Sequence, residues 1–156
     1  MSQKEWQNKA FNELTTNELY DILKLRVDIF VVEQTCYYPE LDNHDRHLET
    51  RHVYLYQNNN LHAYLRILPK GLTYNNYVSI GRVAIAEKMR GTGLGHQLIE
   101  QGIKISEQIY PQQAIKISAQ QHLEKFYLQH GFETVSAMYL EDNIPHISML
   151  RLAQKS

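Results

Sequence analysis

The chain has 156 residues, 16 of them lysine or arginine against 17 aspartate or glutamate for a formal net charge of −1, and 43% are hydrophobic, enough for a core without staples. Residues 1–156 therefore read as a single domain, and a near-zero charge with no basic cluster sets aside a nucleic-acid backbone as partner. No apolar run approaches a membrane span and the N-terminus lacks a signal-peptide core, so the expectation is a cytoplasmic protein away from membranes. The lone Cys36 has no internal disulfide partner, which fits a reducing compartment.

A first strand is predicted from about Trp6 to Phe11. Thr15 or Thr16 then offers an N-cap to a helix whose apolar positions, Leu19, Ile22, Leu23, Leu25, Val27, Ile29 and Phe30, recur at helical intervals as far as Val32-Glu33. Residues 34 to 51 show little periodicity and read as a long loop, with room for one further helix. Two alternating runs, 52–56 and 61–67, flank Gln57-Asn58-Asn59-Asn60 as a hairpin would. A strand from about Tyr77 to Ile85 leads into Arg90-Gly91-Thr92-Gly93-Leu94-Gly95, and an amphipathic helix follows from about Gly93 to Tyr110, closed by Pro111. Ala114 to Ala119 forms a strand. His122 to His130 forms a short helix with Gly131 as its C-cap, and two last strands, about 133–140 and 146–152, meet at Glu141-Asp142-Asn143. The order β-α-ββ-β-α-β-α-ββ is that of an α/β (α+β) fold with a mixed central sheet of about six to seven strands.

The glycine-rich hexapeptide carries the first chemical signal. Strand, glycine turn and helix start together make an anion cradle, because N–H groups at a helix entrance have no intrahelical acceptors and glycine lets a ligand approach them. A nucleotide P-loop would need G-x-x-x-x-G-K-[ST], but His96 and Gln97 follow Leu94 and Gly95 here. A dinucleotide fingerprint would need G-x-G-x-x-G, but His96 stands where the third glycine belongs.

Arg90-x-x-Gly93-x-Gly95 resembles the pyrophosphate loop of the GNAT acyltransferases, the GCN5-related N-acetyltransferases. Phe126-Tyr127-Leu128-Gln129-His130-Gly131-Phe132 resembles the Y-x-x-x-G-F segment of that superfamily. Leu25-Arg26-x-x-x-Phe30-Val31-Val32-Glu33-Gln34 and Tyr139-Leu140-Glu141-Asp142-x-Ile144-Pro145-His146 are similar to its ElaA-type branch, so the likeness covers nearly the whole chain. The resemblance implies a sheet splayed at a cofactor cleft, acetyl-CoA as co-substrate, and direct transfer of the acetyl group to a primary amine. It implies that the backbone of Val83, Ala84 and Ile85 pairs with pantetheine while Arg90, Gly91, Thr92, Gly93, Leu94, Gly95 and His96 hold the pyrophosphate.

The chemistry needs a base for the attacking nitrogen and an acid for the departing thiolate. Tyr127 matches the family position of the acid, although it is one of 11 tyrosines. Glu33 is a candidate base whose pKa burial beside apolar neighbours would raise, or a satisfied helix-end carboxylate. His146 is a second candidate, flanked by Glu141 and Asp142, or an ordinary turn residue. Arg26 and Arg82 could hold an acceptor carboxylate or form structural ion pairs. Gln120-Gln121 stands where many relatives carry a coenzyme-binding asparagine, and no contact is transferred there. His44, Asp45, His47 and Glu49 could be read as metal ligands, but interleaved Arg46 and Arg51 favour a solvated loop over the acceptor site, and no metal is expected. The alternatives from other classes are a non-catalytic acyl-CoA binder and an acyl-homoserine-lactone-synthase-like enzyme. An exposed edge strand could pair two copies as a homodimer. The acceptor, a small molecule or a peptide amine, stays open.

Overall fold

The computed structural model describes residues 5–154. Strand β1, Glu5–Lys9, is followed by helix α1, Thr16–Arg26, whose start is fixed by a reciprocal capping box: Glu18 N donates to Thr15 Oγ1 at 3.1 Å and Thr15 N to Glu18 Oε1 at 2.9 Å. The helix does not stop at Arg26 but widens into a π-helical stretch, Val27–Glu33. After the long loop come β2, Arg51–Gln57; β3, Asn60–Leu68; β4, Val78–Ile85; α2, Leu94–Ile109; β5, Ile115–Gln120; α3, Glu124–Leu128; β6, Glu133–Thr134; β7, Tyr139–Glu141; and β8, Ile144–Arg151.

One mixed sheet runs in the order β1-β2-β3-β4-β5-β8-β6, with β7 paired to β8. All neighbours are antiparallel except β4 and β5. Its middle is buried on both faces, and strand alternation sorts the side chains. Val53, Leu55, Ala63 and Leu65 join Leu94, Leu98, Ile99 and Ile103 of α2 in the larger core. Tyr54 and Tyr64 turn the other way and pack with Ile22 of α1. The tyrosines on that face spend their hydroxyls locally, Tyr54 on Glu18, Tyr56 on Asp21 and Tyr64 on His52.

The predicted hairpin forms with Asn58 and Asn59 both at positive φ, the backbone a two-residue primed turn requires. Two expectations are corrected. The long loop holds no further helix beyond a short 3-10 turn, His44–Arg46, because its backbone is tied down by side-chain ion pairs instead of helical hydrogen bonds. The strand expected over 133–140 is split into β6 and β7, each paired to a different stretch of β8, and β8 itself begins two residues early at Ile144.

Candidate functional site

Only Val78 and Ser79 of β4 pair with β5; beyond them the two parallel strands part. A bulge helps, since β3 advances two residues from Tyr64 to Arg66 while β4 advances three from Gly81 to Ala84, and Arg82 sits within it at φ 51°. The result is a cleft of about 600 Å³ between the tails of β4 and β5. Ala84 and Ile85 keep their β3 partners, so along 83–85 it is the edge turned toward β5 that has no strand neighbour.

The glycine loop lies at one end of this cleft. Gly91 and Gly93 take φ of 76° and 83°, which a side chain would strain, and a Cβ at either would enter open space. None of the main-chain N–H groups from Gly91 to His96 finds an acceptor among the described residues. Six consecutive free donors at the start of a 16-residue helix make a site for a polyanion. Thr92 is not free to join them through its hydroxyl, which donates to the Met89 carbonyl at 2.6 Å. The His96 imidazole is 2.8 Å from that of His130 and packs on Phe126, which leaves its main-chain N–H as its contribution to the row.

Tyr127 is 6% exposed, lies edge-on to both Phe126 and Phe132, and lines the cleft. Its hydroxyl has no hydrogen-bond partner among the described residues, and burial pushes its pKa up to about 12. A phenol in that state is a permanently protonated donor.

The other wall is built from charge. Arg26, fully buried, donates to Glu40 at 2.8 Å and Asp45 at 2.7 Å, and Arg66, 3% exposed, reaches Asp42 at 2.5 Å and Asp45 at 3.0 Å. Arg82 adds a 2.6 Å bond to Glu40. Three arginines and three carboxylates thus pin the 34–50 loop to α1 and the sheet, while Tyr37, Leu41 and Leu48 of the same loop stay exposed, as a solvated loop requires. The neighbouring arginines hold Asp42 and Asp45 below the usual carboxylate range against the opposing effect of burial. Asp45 is committed to Arg26 and Arg66, and among the described residues no three His, Cys, Asp or Glu side chains converge as a metal site needs.

Glu33 and Arg90, expected in different roles, meet across the mouth of the cleft in a two-pronged ion pair of 2.8 and 2.9 Å. Glu33 is 43% exposed at its side chain, so the expected burial is absent. His146 is 7% exposed on the cleft wall, its Nδ1 2.7 Å from the Ile144 carbonyl and its Nε2 3.4 Å from Glu141. Gln120 approaches Gln34 at 3.5 Å and so contributes its amide to this wall.

Residues 31–152 match the family model described as an acetyltransferase (GNAT) domain. The chain belongs to the GNAT acetyltransferase family. Protein ElaA of Escherichia coli K12 is 40% identical over 147 residues, 94% of this chain and 95% of that one, and the crystal structure of E. coli ElaA superposes with a TM-score of 0.90 at 38% identity over 96% of this chain and 99% of the other. A Pseudomonas aeruginosa protein described as an acyl-CoA N-acyltransferase gives a TM-score of 0.90 at 42% identity over 96% and 99%. The AHL synthase LasI, at 15% identity with a TM-score of 0.77 over 96% of this chain and 90% of its own, shares the fold alone. The chain is thus a GNAT protein of the ElaA branch, in a family of acyltransferases that generally draw on acyl-CoA and act on amines. No helix among its described residues is long and apolar enough to cross a membrane.

Within this GNAT frame, sequence reasoning passed over Glu40, Asp42 and Arg66 as parts of a network, and over Ser118 beside Glu141. The one available signal for the first three was composition: acidic residues in a loop whose flanking elements carry arginines at apolar-periodic positions. For Ser118 there was none.

Proposed function

We propose that this protein is an acetyl-CoA-dependent N-acetyltransferase that moves the acetyl group directly from the thioester to a primary amine. The observation that carries this reading is Tyr127, a buried phenol with an unspent proton on the wall of a cleft whose far end is a row of free N–H groups. The N–H groups of 91–96 would hold the pyrophosphate, and the backbone of Val83, Ala84 and Ile85 would pair with pantetheine as a missing strand. Arg90 would exchange Glu33 for phosphate on binding.

The substrate amine arrives as an ammonium and must lose a proton before it attacks. We assign that proton to His146: with Nδ1–H donated to the Ile144 carbonyl, Nε2 carries the lone pair. Nitrogen then bonds to the thioester carbon, the C–S bond breaks, and the nitrogen gives up a second proton as the amide forms. Tyr127 passes its proton to the sulfur as charge develops there and is reprotonated, directly or through water, by the nitrogen's second proton, while the first leaves His146 for solvent. A thiolate leaving into the same dry wall is itself destabilised, which brings it toward its donor's range. Glu33 enters the acid-base work only after phosphate has taken Arg90.

The test is Tyr127→Phe. Loss of a positioned proton donor lowers kcat by about 10² to 10⁴ with the acetyl-CoA affinity kept. Unchanged turnover would remove Tyr127 from the mechanism, and wild-type protein that binds acetyl-CoA without transfer to any amine would make the chain a binder.

A further inference from the structure

The cations on the cleft wall are all spoken for. Arg66 is bonded to Asp42 and Asp45, Arg82 to Glu40, and Arg90 to Glu33. At the hairpin between β7 and β8, by contrast, Glu141 and Asp142 line the cleft with no lysine or arginine partner among the described residues. The imbalance leaves this end of the cleft negative. The pKa of Tyr74 on the same wall is pushed up to about 12 by burial first and then by Tyr139 and Glu141, with Lys116 Nζ 4.9 Å over its ring.

Glu141 is also held in place. Ser148 Oγ donates to the Tyr139 hydroxyl at 3.3 Å, that hydroxyl lies 2.5 Å from Ser118 Oγ, and Ser118 Oγ donates to Glu141 Oε1 at 3.2 Å. Each hydroxyl has one proton, so the chain runs one way and ends on an oxygen of Glu141. Its other oxygen, Oε2, faces His146 Nε2 at 3.4 Å. Because a carbonyl can only accept, His146 Nδ1 must be the donor to Ile144, and a neutral ring then leaves Nε2 a bare lone pair. Two acceptors then face each other, one on an imidazole side chain that is 9% exposed and the other on a carboxylate side chain that is 50% exposed. A group with several N–H bonds entering the cleft could donate to both at once.

We propose that Glu141 Oε2 and His146 Nε2 form the recognition site for the acceptor's ammonium group, and that the acceptor is a small alkylamine cation with no carboxylate beside its nitrogen. This rests on the acetyl-transfer reading above. A carboxylate next to the amine would meet Glu141 and Asp142 together and find every arginine of the wall already bonded. The rims of the cleft are also joined here, Cys36 Sγ to the Asp142 carbonyl at 3.4 Å and Asn143 Nδ2 to the Tyr38 hydroxyl at 3.3 Å, which suits a small molecule entering end-on and not a polypeptide lying across.

The experiment compares two acceptors, 1,4-diaminobutane and 2,5-diaminoadipate, the latter being the same diamine with a carboxylate on each amine-bearing carbon. The expected result is a kcat/KM for diaminobutane at least about tenfold above that for diaminoadipate, and a KM for diaminobutane raised about tenfold to a hundredfold by Glu141→Gln, with acetyl-CoA affinity unchanged. Glu141→Asp restores part of the loss, which a purely structural role would not predict. Equal use of the two acceptors, or an unmoved KM in Glu141→Gln, overturns the assignment. If the wild-type protein acetylates neither, the transfer reading fails for such amines and a separate measurement decides this one. In that case ¹⁵N resonances of His146 are followed as diaminobutane is added to the protein with coenzyme A. A shift in the wild type that is lost in Glu141→Gln supports the site. No shift, or a free protein whose His146 already carries both protons at neutral pH, overturns it.

Discussion

The donor wall of the cleft is main chain and the acceptor wall is charged side chain, and the two differ in what holds them. Along 83–85 and 91–96 the useful groups are carbonyl and N–H, set out by a bulge and two left-handed glycines: the 83–85 edge toward β5 has no strand neighbour, although Arg90 Nε reaches the Ile85 carbonyl at 3.4 Å, and the 91–96 N–H groups have no acceptor among the described residues. Around Arg26, Arg66 and Arg82 every charge is paired and mostly buried, whereas Glu141 and Asp142 at the far end have no lysine or arginine partner among the described residues. One wall presents backbone, where we propose that the phosphate is held; the other presents paired side chains, with the proposed amine site at one hairpin.

The largest effect should come from breaking the acceptor wall at its centre. Arg26→Leu strands Glu40 and Asp45 with one cation fewer, and removal of one partner from a buried ion network costs about 3–5 kcal/mol of stability, read in urea denaturation. A loss below that of an exposed pair would mean the loop is held by something other than its arginines.

Acid should find the same wall next. Asp42 and Asp45 have folded-state values below their unfolded ones, so their stabilisation is present above about pH 4 and is lost as pH falls below it. His52 is 1% exposed, with burial first lowering its value, and its ring sits between the Tyr64 hydroxyl at 2.7 Å and the Asp45 carbonyl at 3.0 Å. The unfolded chain takes up that proton first, so stability begins to fall below about pH 6.5, ahead of the carboxylates. Denaturation midpoints across pH 8 to 3 should therefore descend in two limbs, and His52→Gln should flatten the upper one.

On the donor wall the comparable break is smaller and local. Gly93→Ala forces a Cβ into the left-handed region at about 1–2 kcal/mol, although the space around it is open. Coenzyme A affinity should fall, with little change at β7 or β8, and an alanine variant with wild-type affinity would show that this backbone does not shape the anion site.

How legible each wall was in the sequence follows from the same difference. Gly91 and Gly93 announce left-handed turns because few other residues adopt them, and a glycine turn between an apolar strand and an amphipathic helix has few other uses, so the cradle and the order of the elements around it could be read directly. Asp45 and Arg66 announce nothing: they lie 21 positions apart, and only the packing of the loop under α1 brings them within 3.0 Å. The π-helical stretch at Val27–Glu33 kept the predicted apolar periodicity while changing which side chains look into the cleft, which is why Glu33 emerges at the rim beside Arg90 and not in an apolar pocket.

That rim contact gives the finest test of the comparison, because it ties one wall to the other at the mouth of the cleft. Glu33 occupies the guanidinium that an incoming pyrophosphate would use, so it competes with the donor for Arg90 while tethering the acceptor-side helix. Both partners are about two-fifths exposed, and such a pair is worth about 0.2–1 kcal/mol, a ceiling of roughly fivefold in affinity. Glu33→Gln should therefore tighten coenzyme A by up to about fivefold at low salt, with the gain fading as ionic strength rises, because screening weakens the pair in the wild type by itself. Titration calorimetry at two salt concentrations measures it. Weaker binding in Glu33→Gln would instead mean that the pair aims Arg90 at the phosphate, and the walls would then be cooperative where their geometry reads as competitive.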